Sequence, residues 1–218
     1  WGHELYAMGP DAIGISRDSD PTQGHGQYLQ DSSYPSAQWA QEFQVHHIIR
    51  TPTSYNSNFG VFKLGDDQCR VQTNTNGGVK FMSSSGSTVV LTNIAWIPSR
   101  SYILSIQRKF NTTSSEYEFL WRWEDLDGET TVTETTTAGE AVSVGNGPWS
   151  IGISGVYNRH IFGPLIGVNN LDSTVYDNCI SWLRKWYGGE DTSGSSSTPS
   201  SEVDATWFIE LDIDARDN

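Results

Sequence analysis

The chain has 218 residues, of which 36 % are hydrophobic, 12 % aromatic and only 18 % charged; that is enough for one large domain with a real core and far too aromatic for a disordered chain. Thirteen Lys plus Arg against 26 Asp plus Glu give a net charge of -13, which repels phosphate backbones and anionic lipid and so argues against nucleic acid as a partner. No run approaches the roughly 20 apolar residues of a spanning helix, so no membrane insertion is expected.

Residues 1–39 read as a loop-rich lead-in, with Asp18-Ser19-Asp20-Pro21 and Gly24-His25-Gly26 as turn signals. The chain opens on Trp1 without a basic-then-apolar leader, which reads as a processed or trimmed start. From residue 40 onward, short alternating or β-branched runs follow one another: Phe43 to Arg50, Phe59 to Leu64, Cys69 to Thr73, Val79 to Met82 and Thr88 to Leu91. They continue with Tyr102 to Phe110, Tyr117 to Glu124, Thr130 to Thr135 and Trp149 to Ile153. Turns such as Asn76-Gly77-Gly78, Asp127-Gly128 and Gly145-Asn146-Gly147-Pro148 separate them, and no βαβ rhythm is present. The expected fold is all-β, an antiparallel β-sandwich of the jelly-roll kind.

One segment departs from period two. Val175, Tyr176, Cys179, Ile180, Trp182, Leu183, Trp186 and Tyr187 fall at intervals of three and four, so Ser173 to Tyr187 is predicted as the single short C-terminal helix. Thr174 with Asp177 resembles a capping box, Arg184 and Lys185 suit the last turn, and Gly188-Gly189 ends it. Residues 192–201 (TSGSSSTPSS) are too polar to pack and read as a flexible loop inside one domain, residues 40–218, before a last strand at Thr206 to Asp214. From Glu190 to Asn218 there are eight acids and one base, so this tail holds -7 of the -13. Cys69 and Cys179 are too few for a disulfide framework and lack metal-ligand spacing; one long-range bridge and two buried thiols both remain open.

Four stretches, taken in order, resemble the laminin-G-like, concanavalin A-like lectin/glucanase jelly roll. They are QEFQVHHIIRTP (Gln41 to Pro52) leading to NFGVFKLGD (Asn58 to Asp66), then IPSRSYILSIQRKF (Ile97 to Phe110) with YEFLWRWEDLDGE (Tyr117 to Glu129). WSIGISGVYNRHIFGPLIGVNN (Trp149 to Asn170) and STVYDNCISWLRKWYGG (Ser173 to Gly189) complete the series. The resemblance implies two curved antiparallel sheets and a group that includes carbohydrate-binding modules, adhesion domains, polysaccharide-degrading enzymes and viral surface proteins. A fold of this breadth leaves function to the sites.

Tyr117, Phe119, Trp121 and Trp123 alternate and share one strand face. Such a ladder can stack on sugar rings, but the opposite face is mostly charged, so the ladder is read as core. The expected ligand contact is instead Trp149, Tyr157, Asn158, Arg159 and His160, where a flat ring, an amide and a guanidinium fork adjoin Gly-rich loops. In ELDID, Glu210, Asp212 and Asp214 line one strand face and resemble the E-x-D-x-E signature of related glucanases, whose first Glu is the nucleophile and last the acid/base. Here the last acid is Asp, and Cβ atoms four residues apart on a strand lie roughly 13 Å apart against the roughly 5 Å that retaining hydrolysis needs. An acidic strand face that discourages aggregation accounts for the same residues.

Cofactors are read as none, with calcium possible at Asp125, Asp127 and Glu129 around Gly128, or at Asp18 and Asp20. His46 and His47 are adjacent on a strand and point to opposite faces, which argues against zinc. Asn111-Thr112-Thr113 is an N-glycosylation sequon on a predicted turn. The function expected from all this is a non-enzymatic, surface-displayed β-sandwich, extracellular or on a virion, for glycan binding, adhesion or decoration of a larger structure. Its partners would be glycan or neighbouring protein subunits, copies of itself included. The alternatives are a polysaccharide hydrolase or lyase using Glu210 with Asp212 or Asp214, and a purely structural subunit.

Overall fold

Every side chain from Phe43 to Ile49 is buried, although the run FQVHHII holds one Gln and two His. A strand buried on alternate and on intervening positions alike must be covered on both faces. The computed structural model shows how. It describes residues 4–7, 13–16, 29–31, 42–55, 59–63, 70–73, 75, 78–82, 88–128, 131–138, 149–151, 160–188 and 207–211.

Fourteen strands and one helix occur among these: β1 (Glu4–Ala7), β2 (Ile13–Ser16), β3 (Leu29–Asp31), β4 (Phe43–Arg50), β5 (Phe59–Lys63), β6 (Arg70–Thr73), β7 (Gly78–Met82), β8 (Thr88–Ala95), β9 (Ser101–Asn111), β10 (Glu116–Asp125), β11 (Thr131–Ala138), β12 (Trp149–Ile151), β13 (Ile161–Val168), α1 (Ser173–Tyr187) and β14 (Trp207–Leu211). All pairings among them are antiparallel. One sheet runs β1-β2-β13-β4-β9-β10-β11, with β14 also paired to β13; the other runs β3-β12-β5-β6-β7-β8. The chain is thus an all-β antiparallel architecture with one short helix, as its alternation predicts.

Register assigns the two faces of the first sheet. Val45 stands opposite Ile106, which faces Trp121, and His47 opposite Leu104, which faces Trp123. This inner face meets the second sheet: Phe59 of β5 contacts His160, and Trp96, just after β8, packs on Tyr102 and Trp123. Phe119, Trp121 and Trp123 are buried, so three of the four ladder rings are core as expected, whereas Tyr117 is half-buried. The outer face carries Ile48, Ile103, Ile166 and Val168, and α1 covers it with Val175, Cys179, Ile180, Trp182, Leu183, Trp186 and Tyr187. Burying side chains of this size stabilises by about 1.5 to 3 kcal/mol each before entropy is counted.

Two expectations need correction. The lead-in contributes β1, β2 and β3, and the β1-β2 hairpin joins the first sheet where Ile15 pairs with Phe162. Four-residue strands flanked by Gly and Pro offer too few positions for alternation to show. The helix is capped not by Thr174 with Asp177 but by Asp172, whose carboxylate accepts from the Thr174 amide at 2.7 Å. Its other end is as predicted, with Arg184 and Lys185 in the last turn and Gly188 donating to the Arg184 carbonyl. Of the two states open for the cysteines, Cys179 is a free, buried thiol, and Cys69 lies outside the described residues.

β13 holds a proline within a sheet because its ladder bulges there. Phe162 pairs with Ile49 and Leu165 with His47, so Gly163 and Pro164 together oppose Ile48. The extra residue leaves the missing proline N–H without a ladder partner to lose. Beyond the bulge, one edge of β13 is shared: Phe162 pairs with β2, and Leu165 to Val168 pair with β14. No helix among the described residues is long and apolar enough to cross a membrane.

Candidate functional site

The residues with chemical potential fall in four places. At one end of the first sheet, the turn after β10 carries Asp125 and Asp127, the expected calcium ligands. Their oxygens are already occupied. Asp125 Oδ2 accepts from the Arg100 guanidinium at 2.7 Å and Oδ1 from the Asp127 amide at 2.9 Å. Asp127 Oδ2 accepts from the Ser101 amide at 2.8 Å with Arg50 at 3.6 Å, and Oδ1 from the Tyr187 hydroxyl at 2.9 Å. Gly128 is required by space, since a Cβ there would run into the Arg100 guanidinium and the Asp125 carboxylate. Two guanidiniums supply the charge a cation would supply, so the turn fastens α1 to the sheet rather than offering six to eight oxygens to Ca²⁺. Among the described residues no cluster of three or more His, Cys, Asp or Glu could hold a metal ion. Glu129, Asp18 and Asp20 lie outside them.

The second place is the interior. His160, expected beside loop residues, is fully buried just before β13, among Tyr55, Phe59, Trp96 and Phe162 at ring separations of 5.8 to 6.4 Å. Desolvation holds its imidazole down to about 3, and the nearby Gly60 carbonyl offsets only part of that. His47 is neutral for the same reason, and its Nδ1 donates to the Pro164 carbonyl at 3.2 Å. A neutral imidazole serves here as an aromatic of the core. Of its expected companions, Trp149 opens β12, paired with Asp31 of β3, and Tyr157, Asn158 and Arg159 lie outside the described residues.

Third are the acids of the last strand. Glu210 is in β14 at the register position opposite Ile166. Asp212 and Asp214 lie outside the described residues.

The fourth place includes Tyr117, which the ladder reading assigns to the core, together with Phe110 and Arg108, which no sequence motif marks. Phe110 stands opposite Tyr117, and Arg108 opposite both Phe43 and Phe119, so all five belong to the inner face. At this end the cover runs out. Phe110 is 38 % exposed and Tyr117 half-buried, and the Tyr117 ring meets Phe110 edge-on at 5.2 Å. The Arg108 guanidinium stacks on Tyr117, 3.4 Å from its centroid, and is itself buried. Glu42 accepts from the Phe110 amide at 2.9 Å and continues the ladder where β4 begins. The adjoining turn is rigid: Asn111 Oδ1 accepts from the amides of Thr113 and Ser114, and Asn111 Nδ2 donates to Glu118 at 2.6 Å. Together these make a supported aromatic step at the mouth of the sandwich. The clue lay in the alternation itself, which carries the ladder face out through Tyr117 to the strand's end.

No family model matches the chain, and no curated protein matches it. Among solved structures it is similar to the enzymatically active domain of bacteriophage CBA120 tailspike protein 2, with a TM-score of 0.52 and 12 % identity over 85 % of this chain and 29 % of that one. It is also similar to Trypanosoma rangeli sialidase, with a TM-score of 0.50 and 11 % identity over 74 % of this chain and 26 % of that one. The likeness is one of fold, and the chain spans less than a third of the length of either.

Proposed function

We propose that this chain is a surface-displayed β-sandwich module that binds glycan without cleaving it, on an extracellular or virion structure. The observation that carries the reading is the aromatic step of Phe110 and Tyr117 at the open end of the inner face, braced by Arg108 and a fixed turn. Sugar rings present apolar C–H faces, and a pre-set ring suits them at little ordering cost. The two fold relatives, a phage tailspike domain and a sialidase by name, are consistent with carbohydrate as the ligand class. Neighbouring subunits, copies of the chain among them, are the other proposed partner, since exposed aromatic rings suit interfaces as well.

A glycan array with the intact chain tests this. Binding that falls tenfold or more in Phe110→Ala, with Trp149→Ala and Tyr157→Ala unchanged, supports the step as the site. Loss in the latter two variants moves the site to the loops. A blank array sinks the glycan reading, and new reducing ends abolished by Glu210→Gln replace it with a hydrolase.

A further inference from the structure

The outer face of the first sheet hides a titratable group for which glycan binding has no use. His46 is fully buried beneath α1, with Nδ1 2.9 Å from the Ser105 hydroxyl and the Tyr176 ring edge-on at 5.2 Å. Its Nε2 has no hydrogen-bond partner. The groups around it come from every neighbouring element: Ser105 on β9, Arg122 on β10, Ile166 on β13 and Tyr176 on α1. The Arg122 guanidinium lies over the same Tyr176 ring at 4.9 Å. Glu210 in β14 stands one strand further on, at the register position opposite Ile166. Burial first, and the positive charge of Arg122 second, hold the imidazole down to about 3.

We propose that α1 is an acid-sensitive flap, and that the proton His46 takes up once α1 has opened shifts the helix towards its open form. With α1 down, an imidazolium at this position would be a buried charge beside a guanidinium, with an unpartnered Nε2–H. With α1 up, the outer face of β4 is wet and His46 takes a proton at its ordinary value. The inner face stays shut, so His47 and His160 do not respond. One proton is thus bound by the open form and refused by the closed one, and the opening equilibrium rises about 25-fold between pH 7 and pH 5. The ties at the helix end run from Arg184 to Glu124 and from Tyr187 to Asp127. Lifting exposes Trp182 and Trp186 together with Val175, Ile180 and Leu183.

Amide hydrogen exchange of the full chain between pH 5 and pH 7, corrected for intrinsic rates, tests the proposal. The expected result is about 25-fold more opening of α1 amides at pH 5, with the central β9 amides following a separate and steeper dependence. In His46→Gln, which keeps a neutral partner for Ser105, the α1 dependence should vanish. Should that variant fail to fold, His46→Asn serves: it too carries no titratable ring, and the α1 dependence should vanish there as well. An α1 opening that does not change with pH, that tracks β9 throughout, or that is unaltered in the variant that folds overturns the proposal.

Discussion

The hydroxyl of Tyr187, in the last turn of α1, donates to Oδ1 of Asp127 in the turn after β10 at 2.9 Å. The two are 60 residues apart in sequence, and the bond lies next to the Arg184 to Glu124 pair, so it closes the covered end of the outer face. A hydrogen bond to a charged acceptor contributes about 1.5 to 3 kcal/mol when buried and less when half-exposed. Tyr187→Phe should cost about 1 kcal/mol in urea unfolding with an unchanged m-value, and should leave the far-ultraviolet spectrum as it is.

Gly128 permits the Arg100 to Asp125 pair by having no side chain. Gly128→Ala must push one of them away, and Asp125 is buried, so its displaced carboxylate loses a partner that water replaces poorly. The variant should be less stable than the parent chain. In a double-mutant cycle, Asp125→Asn should largely abolish the further cost of Gly128→Ala. Additive effects would show that the two sites do not communicate.

Acid should weaken the fold through its three buried histidines. His46, His47 and His160 are each held near 3 in the folded chain against 6.5 when unfolded. Since the folded values are the lower ones, the unfolded chain binds more protons between these limits. Stability is therefore complete above about pH 7 and declines as pH falls through 6.5 towards 3. Each histidine removes about 2 kcal/mol by pH 5, so the three together match the whole stability of many domains. Denaturant titrations from pH 7.5 to 5 should show this slope, and a flat profile would refute the buried neutral imidazoles.

Cys179 lies on the buried face of α1, and burial pushes its thiol up to about 12. Iodoacetamide should label it only at the rate at which α1 opens, slowly at pH 7 and in full on denaturation. Cys179→Ala removes one buried sulfur and should cost about 1 to 2 kcal/mol in thermal or urea unfolding.

Much of the architecture was legible because burial was one-sided. In β10 the alternation of Phe119, Trp121 and Trp123 with Leu120, Arg122 and Glu124 marks both the strand and its core face, and α1 betrays itself by spacing alone. β13 was harder. IFGPLIGV is buried on both faces and broken by Gly163-Pro164, so neither alternation nor turn chemistry identifies it without its partner β4. His160 illustrates the limit at the level of sites: beside Asn158 and Arg159 it has the neighbours of a polar loop, yet one residue later the chain enters β13 and the ring turns inward. Asp125 and Asp127 likewise have the spacing of cation ligands, and only the fold shows Arg100, Arg50 and Tyr187 already there. The step at Phe110 needed three-dimensional knowledge of another kind, namely that burial on the inner face ends between Arg108 and Phe110.

The most direct test of glycan binding at the open end of the sandwich is a chemical-shift titration of the isotopically labelled chain with a glycan selected on the array. The account predicts that the largest changes fall on the amides of Phe110, Asn111 and Tyr117, with those of α1 unmoved. Changes centred on Trp149, Tyr157 and Arg159, or on Glu210 with release of cleaved sugar, would contradict it.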